Sequence, residues 1–411
     1  MDLIHDWAAT DAEPGERAPV MLNDETLRDG LQSPSVTDPP VEEKLRLLHL
    51  MEGLGIEHAC IGLPGAGPRQ REAVERLCRE IATNRMRVRP NCAGRTLESD
   101  VRPMLEVRDA TGVDIEVCVF IGSSPIRQYT EGWAIDELLE RTRTAVSFAV
   151  REGADVMFVT EDTTRSAPET LRLLYTAAID SGAKRICLCD TVGSAVPAGV
   201  TNLVNWTRAL VAELGVDVGI DWHGHRDRGL GLANTLAAAE AGATRLHATA
   251  LGVGERVGNA AMEEVLVNLR LLGLRAGDLL LLPEYVAVAS AALGVPIPAS
   301  HPIVGRDAFR TATGVHASAI VKARAKGDAW LVDHVYSGVP ASWVGREQEI
   351  EIGPMAGASN VVHFLATRGL QHDRATVDAV LAHAKRTDRV LTESEVMELL
   401  RELVAGAESA E

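Results

Sequence analysis

Two histidines one residue apart, His223 and His225, close a short apolar run, and far upstream Arg28 stands beside Asp29 in Asn23-Asp24-Glu25-Thr26-Leu27-Arg28-Asp29-Gly30-Leu31-Gln32. Residues two apart in a strand share a face, so both imidazoles point the same way and can bind one ion. A carboxylate next to a guanidinium, with a glycine to turn the chain, offers one metal ligand and one fixed cation. Taken singly, the histidines fit a pair of satisfied polar side chains and the Arg-Asp pair fits a salt-bridged turn. Three more polar clusters change that balance: Glu161-Asp162-Thr163-Thr164-Arg165, Asp190-Thr191-Val192-Gly193 and Gly254-Glu255-Arg256-Val257-Gly258-Asn259. Each falls where a strand pattern stops and a helix pattern begins, and separate salt bridges do not easily account for all of them on one rim.

The elements that position these clusters alternate eight times. Strand patterns cover residues 20–27, 56–63, 88–92, 113–121, 154–160, 185–189, 216–223 and 243–251; amphipathic helix patterns cover 41–54, 69–82, 97–110, 134–151, 168–180, 197–214, 231–241 and 260–272. Glycine follows the last periodic residue of seven helices, at 55, 112, 153, 182, 215, 242 and 273, as a left-handed stop requires. The alternation predicts an α/β fold, a (β/α)8 TIM barrel whose C-terminal strand ends carry the site. No Gly-x-Gly-x-x-Gly turn follows the first strand, which weighs against a doubly wound sheet. The predicted divisions are a flexible start at 1–17, the barrel at 18–283, and a mainly helical extension at 284–411. That extension has helix patterns at 285–293, 375–385 and 393–405, and its acidic end, 406–411, reads as disordered.

Of the 411 residues, 46% are hydrophobic and 24% charged, enough for a large core. A net charge of −17 argues against a nucleic-acid partner or an anionic membrane surface. Six cysteines, four of them (Cys60, Cys118, Cys187 and Cys189) in apolar strand patterns, read as reduced core residues rather than a disulfide framework. The first residues lack the basic flank and apolar core of a signal peptide, and no run of 18 apolar residues spans a membrane, so the expected location is the cytoplasm.

Together, Leu27-Arg28-Asp29-Gly30-x-Gln32, Glu161-Asp162, Asp190-Thr191-Val192-Gly193, His223-x-His225 and Gly252-x-Gly254-Glu255-Arg256-x-Gly258-Asn259 resemble the DRE-TIM metallolyase superfamily. Within it they look like the Claisen-condensing branch of isopropylmalate, homocitrate and citramalate synthases. The resemblance implies that Asp29, His223, His225 and Asn259 hold a divalent metal, with Mg or Mn favoured and Zn also suited to such ligands. It implies that Arg28 polarises the keto group of a 2-oxo acid, that Thr191 bonds its carboxylate, that Glu161 completes the Asp-Arg-Glu set and that Gln32 assists. Acetyl-CoA is the implied co-substrate. His316 in Gly314-Val315-His316-Ala317 matches the family's base, with Tyr336 as its companion, and a homodimer is the implied assembly.

The pattern also departs from that family. Arg226 precedes Asp227 and Arg228 follows it where His-x-His is usually followed by Asn-Asp; Leu31 replaces a glutamate; and Gly353-Pro354-Met355-Ala356-Gly357 replaces a Gly-Lys-His-Ser-Gly run. If Glu161 faces the barrel interior, Val159 and Met157 do too, and that apolar wall points to a small or branched aliphatic 2-oxo acid. Arg226 and Arg228 point the other way, towards a second acidic group. A long leucine-sensing C-terminal domain is expected to be absent. A carbon-carbon lyase of the same superfamily and a non-catalytic metal- or acid-binding barrel are the competing readings.

Overall fold

The computed structural model describes residues 3–5, 19–371 and 373–408. Most of the expected flexible start, and residues 409–411 of the expected disordered end, lie outside the described residues. Eight parallel strands close into a barrel in chain order. They are β1 Met21–Asp24, β2 His58–Cys60, β3 Arg89–Arg95, β4 Glu116–Gly122, β5 Val156–Glu161, β6 Arg185–Asp190, β7 Gly219–Gly224 and β8 Arg245–Ala248. The seam joins the last strand to the first in the register Met21↔Arg245, Leu22↔Leu246, Asn23↔His247 and Asp24↔Ala248. The seven glycines expected to stop helices all have φ between 66° and 103°, the left-handed conformation that a side chain resists.

Alternation along the strands divides the barrel. Phe158, Leu188, Trp222 and Leu246 are fully buried beneath the helix layer, while Cys60, Ala93, Cys118, Met157, Cys187 and Cys189 pack together inside. Two differences from the sequence reading shape the ends of β1 and β4. The first strand stops at Asp24, not at residue 27, because the Asp24 carboxylate accepts the Thr26 N–H at 2.8 Å and turns the chain. An unforeseen helix, Pro125–Glu131, follows β4, with the Ser124 hydroxyl accepting the Arg127 N–H at its start.

The chain forms two compact units. The first runs to Gly277 and includes Glu284–Val295. From Glu284 onward, therefore, the helix Leu282–Leu293 packs with the barrel, where the Tyr285 hydroxyl donates to the Asp24 carboxylate. The second unit, Asp278–Pro283 with Pro296–Glu411, contains the helices Gly314–Ala325, Ala329–His334, Ala358–Thr367, Arg374–Ala384 and Glu393–Glu408. Its core centres on Val361, Leu365, Val380, Leu391 and Val396. The last helix continues through residue 408, three residues into the stretch expected to be disordered.

Candidate active site

His223 lies in β7 and His225 just past its end, where its backbone bridges to Asn259. The two rings meet edge to face with centroids 5.2 Å apart, as residues on one strand face should. Asp29 reaches them from the turn after β1, and one donor atom from each of Asp29, His223 and His225 lies within 4.8 Å of the others. The Asn259 amide donates to Asp29 Oδ2 at 2.5 Å and to the Val253 carbonyl at 3.1 Å. His225 Nδ1 and Asn259 Oδ1 are buried without a hydrogen-bond partner, in residues 4% and 1% exposed. The His225 nitrogen that faces Asp29 is Nε2, 3.9 Å from Oδ2; a buried acceptor left unpaired is costly, and a cation among these four side chains would remove that cost for Asn259 Oδ1. Burial depresses the pKa of both His223 and His225, keeping the rings neutral as ligation requires. Burial works to raise the Asp29 carboxyl, but the Arg28 charge, helped by the Asn259 hydrogen bond, outweighs it and holds it below its ordinary value. The donor set therefore fits a divalent cation.

Arg28 is fixed beside this cluster. Its Nε donates to Glu25 Oε2 at 2.8 Å and its Nη1 to Asp29 Oδ1 at 3.1 Å. Glu25 also accepts from Asn23 Nδ2 at 2.8 Å and lies 3.0 Å from His247 Nδ1. Neither Glu25 nor His247 is given a role by the sequence motifs, although both are buried. The signal that could have found His247 is alternation: Arg245 and His247 share the interior face of β8, as Asp221 and His223 share that of β7.

A cavity of about 400 Å³ opens on these groups. Gln32, Val159, Glu161 and Thr191 all line it, together with Arg28, Asp29, His223 and His225. Asn259, hydrogen-bonded to Asp29, does not line the cavity. The Gln32 N–H closes the turn on the Asp29 carbonyl at 3.0 Å. Thr191 Oγ1 accepts the Asp162 N–H at 2.8 Å, which leaves its own O–H free to point at a ligand. Burial raises the Glu161 carboxyl above its ordinary range, and Arg127 Nη2 lies 3.8 Å from it.

Neither Arg226 nor Arg228 lines this cavity. Arg226 donates to the Val257 and Leu251 carbonyls at 2.9 and 3.3 Å, and Arg228 to the Ser194 carbonyl at 2.8 Å, so both tie down loops. Arg256 lines the cavity as well as Arg28, and is engaged with Asp227 at 2.7 Å and the Thr191 carbonyl at 2.6 Å. His316 and Tyr336 belong to the second unit, where their rings stack with centroids 4.0 Å apart. His316 is the third residue of the helix Gly314–Ala325 and is exposed.

The spacing Gly252-x-Gly254-x-x-x-Gly258-Asn259 follows from close approach. A Cβ on Gly254 would lie 2.2 Å from Asn259 Nδ2 and 2.7 Å from Asp29 Oδ2, and one on Gly258 would lie 1.8 Å from the Gly252 carbonyl. Gly254→Ala is therefore expected to push Asn259 off Asp29 and weaken Mn binding by roughly 10- to 100-fold, the scale of a lost supporting contact, as titration calorimetry would read it. Unchanged affinity would mean that the loop does not set the ligand geometry.

The HMGL-like family profile matches residues 19–284. Over 94% of this chain and 92% of the relative, the sequence is 34% identical to a homocitrate synthase of Methanopyrus kandleri. It is 32% identical to a probable 2-isopropylmalate synthase of Ignicoccus hospitalis, covering 97% of this chain and 96% of that one. Among solved structures, an HMG-CoA lyase of Brucella melitensis superposes with a TM-score of 0.55 at 19% identity, covering 66% of this chain and 98% of that one, a likeness of fold.

Proposed function

Because the chain belongs to the HMGL-like family, we propose that it is an acyltransferase of the 2-alkylmalate synthase kind, condensing acetyl-CoA with a 2-oxo acid and hydrolysing the thioester to release CoA. The observation that carries this reading is one cavity wall on which the Arg28 guanidinium stands beside the Asp29, His223 and His225 donor set. Relatives named homocitrate synthase and 2-isopropylmalate synthase along nearly their whole length support it.

Asp29, His223, His225 and Asn259 would hold a divalent cation, Mg or Mn by their oxygen and imidazole character, which supplies Lewis-acid polarisation when bound. Arg28, held by Glu25 and Asp29, directs its remaining N–H groups at the acceptor's keto oxygen and stabilises the negative charge that builds there. The Thr191 hydroxyl donates to the acceptor's carboxylate, with Gln32 beside it. His316, stacked on Tyr336, takes the proton from the acetyl methyl group. The methyl carbon then bonds to the keto carbon, and water cleaves the thioester to leave a 2-substituted malate and CoA. We assign Glu161, with its raised pKa, to proton transfer at the new hydroxyl. A homodimer in the cytoplasm is the form we expect to do this. No helix among the described residues is long and apolar enough to cross a membrane.

The acceptor's side chain would meet sulfur and hydrocarbon: Cys60, Cys118, Phe120, Met157, Val159 and Cys187 line the cavity. Its two lining arginines, Arg28 and Arg256, are already paired. A distal carboxylate finds no free cation there, so 2-oxoisovalerate or a similar apolar acceptor suits the wall better than 2-oxoglutarate. The direct test measures CoA release from acetyl-CoA with Mn or Mg across 2-oxoisovalerate, pyruvate, 2-oxoglutarate and oxaloacetate. Release that depends on an oxo acid is expected; silence across the panel would sink the synthase reading. Val159→Arg should move the kcat/KM ratio towards 2-oxoglutarate by roughly tenfold or more, since a hydrogen bond to a charged group is worth about 1.5–3 kcal/mol. A ratio that does not move would show that the acceptor's tail lies elsewhere.

A further inference from the structure

The chemistry above makes no use of His247, one of the most tightly held side chains in the barrel. It is 1% exposed, and each ring nitrogen faces a carboxylate: Nε2 lies 2.9 Å from Asp221 Oδ2 and Nδ1 lies 3.0 Å from Glu25 Oε1. A carboxylate at each nitrogen calls for a proton on both, and Asn23 Nδ2 is a further neighbour of Nδ1 at 3.4 Å.

The arrangement extends in both directions. Asp221, buried on β7, also accepts from Arg245 Nε at 2.5 Å and Arg185 Nε at 2.6 Å, and Arg245 Nη2 continues to Glu116 at 2.7 Å. On the other side Glu25 accepts from Arg28, and Arg28 reaches Asp29. Strand register builds the chain: Asp221 pairs with Arg245 and His223 with His247, while Asn23 pairs with His247 across the seam. Ions of alternating sign thus run from the buried barrel interior to the rim, each hydrogen-bonded to the next. Buried charges persist only when partnered in this way, and removing one member strands its neighbours.

We infer that His247 is a positioning residue that holds the Glu25 carboxylate against Arg28 and thereby fixes the direction in which Arg28 meets the acceptor's keto oxygen. The inference rests on the role proposed for Arg28. A different use of the same atoms is available, since Glu25, His223 and His247 also gather within 4.8 Å as a second possible ligand trio. With both nitrogens engaged by carboxylates, His247 has no lone pair to give, and the trio of Asp29, His223 and His225, with the unpartnered Asn259 Oδ1 beside it, is the better cation site.

The test compares the full-length protein with His247→Gln, Glu25→Gln and the double variant, measuring kcat, KM for acetyl-CoA, Mn affinity and thermal unfolding. Glutamine keeps one donor and loses the second and the charge. His247→Gln is expected to lower kcat by about 10- to 100-fold, the range for a residue supporting an active group, with KM for acetyl-CoA and Mn affinity unchanged. The double variant should be no worse than the poorer single one, because both break the same link. Additive losses, an unchanged kcat, or an Mn affinity that falls in step with activity would overturn the assignment. If His247→Gln does not fold, Glu25→Gln alone should reproduce the kcat loss. A readout independent of turnover keeps the two readings apart. In arginine-labelled NMR spectra the Arg28 Nε proton should exchange slowly with solvent in the parent protein and fast in His247→Gln. Slow exchange in both would refute the positioning role, whereas a parent protein that releases no CoA would refute the synthase reading alone.

Discussion

Arg28→Lys is expected to lower kcat by about 10²–10³-fold while the protein stays folded, the loss found when one preorganised donor to a developing oxyanion is removed. Lysine keeps the positive charge, so Glu25 and Asp29 still face a cation, but a single ammonium cannot engage both carboxylates and also present a directed N–H to the cavity. The separation of charge from direction is what makes lysine the informative replacement. Arg28→Met, by contrast, would strand two buried carboxylates and destabilise the barrel by about 3–5 kcal/mol, the cost of breaking a buried pair. Steady-state kinetics across 2-oxo acids, with thermal unfolding as the control, decides the matter. A kcat within threefold of the parent would remove Arg28 from the chemistry.

Asp29→Asn is expected to have the largest effect: Mn affinity falls by more than about 100-fold, and kcat at attainable metal concentrations falls by roughly 10³-fold. The replacement keeps the volume and removes the only anion in a ligand set otherwise made of two neutral imidazoles and an amide. Lewis-acid polarisation is worth several kcal/mol, and each 1.4 kcal/mol is a factor of ten in rate. Chelator treatment of the parent should reproduce the loss of activity, and Mn should restore it there but not in the variant. Full activity in the chelated parent would exclude the metal from the reaction, and tight Mn binding by Asp29→Asn would place the ion elsewhere.

Much of the site was legible because it is written at strand ends. His223 and His225 announce themselves by a spacing of two, and Arg28-Asp29, Glu161 and Thr191 each stand where a strand pattern gives way to a helix pattern. The helix-stopping glycines were legible for the same reason, since the left-handed conformation after a last turn is a local demand. What escaped depends on register. Glu25 looked like one acid in a polar turn and His247 like one more residue of an apolar strand, because their meeting requires Asn23 to lie opposite His247, 224 positions away. The placing of Arg226 and Arg228 away from the cavity wall was hidden for a related reason: the carbonyls to which they donate belong to loops that only the closed barrel brings near. The helix Gly314–Ala325 was hidden by the glycine and the β-branched Val315 at its start, which lower helix propensity.

The seam between β1 and β8 has a consequence for how the molecule is made. Glu25 follows the first barrel strand in chain order, and His247 lies on the eighth, so the salt link between them is a clasp across the two ends of the barrel. Closing so long a loop is entropically expensive and slow, and a contact of this sequence separation forms only when most of the intervening chain is in place. Until then Glu25 and Asp221 have no imidazolium between them, and Arg28 has an unanchored partner. A partly folded chain with seven strands docked would therefore already carry the His223-x-His225 pair yet lack a directed guanidinium. Catalytic competence would arrive with closure itself, and the return of activity during refolding would report the fastening of the barrel.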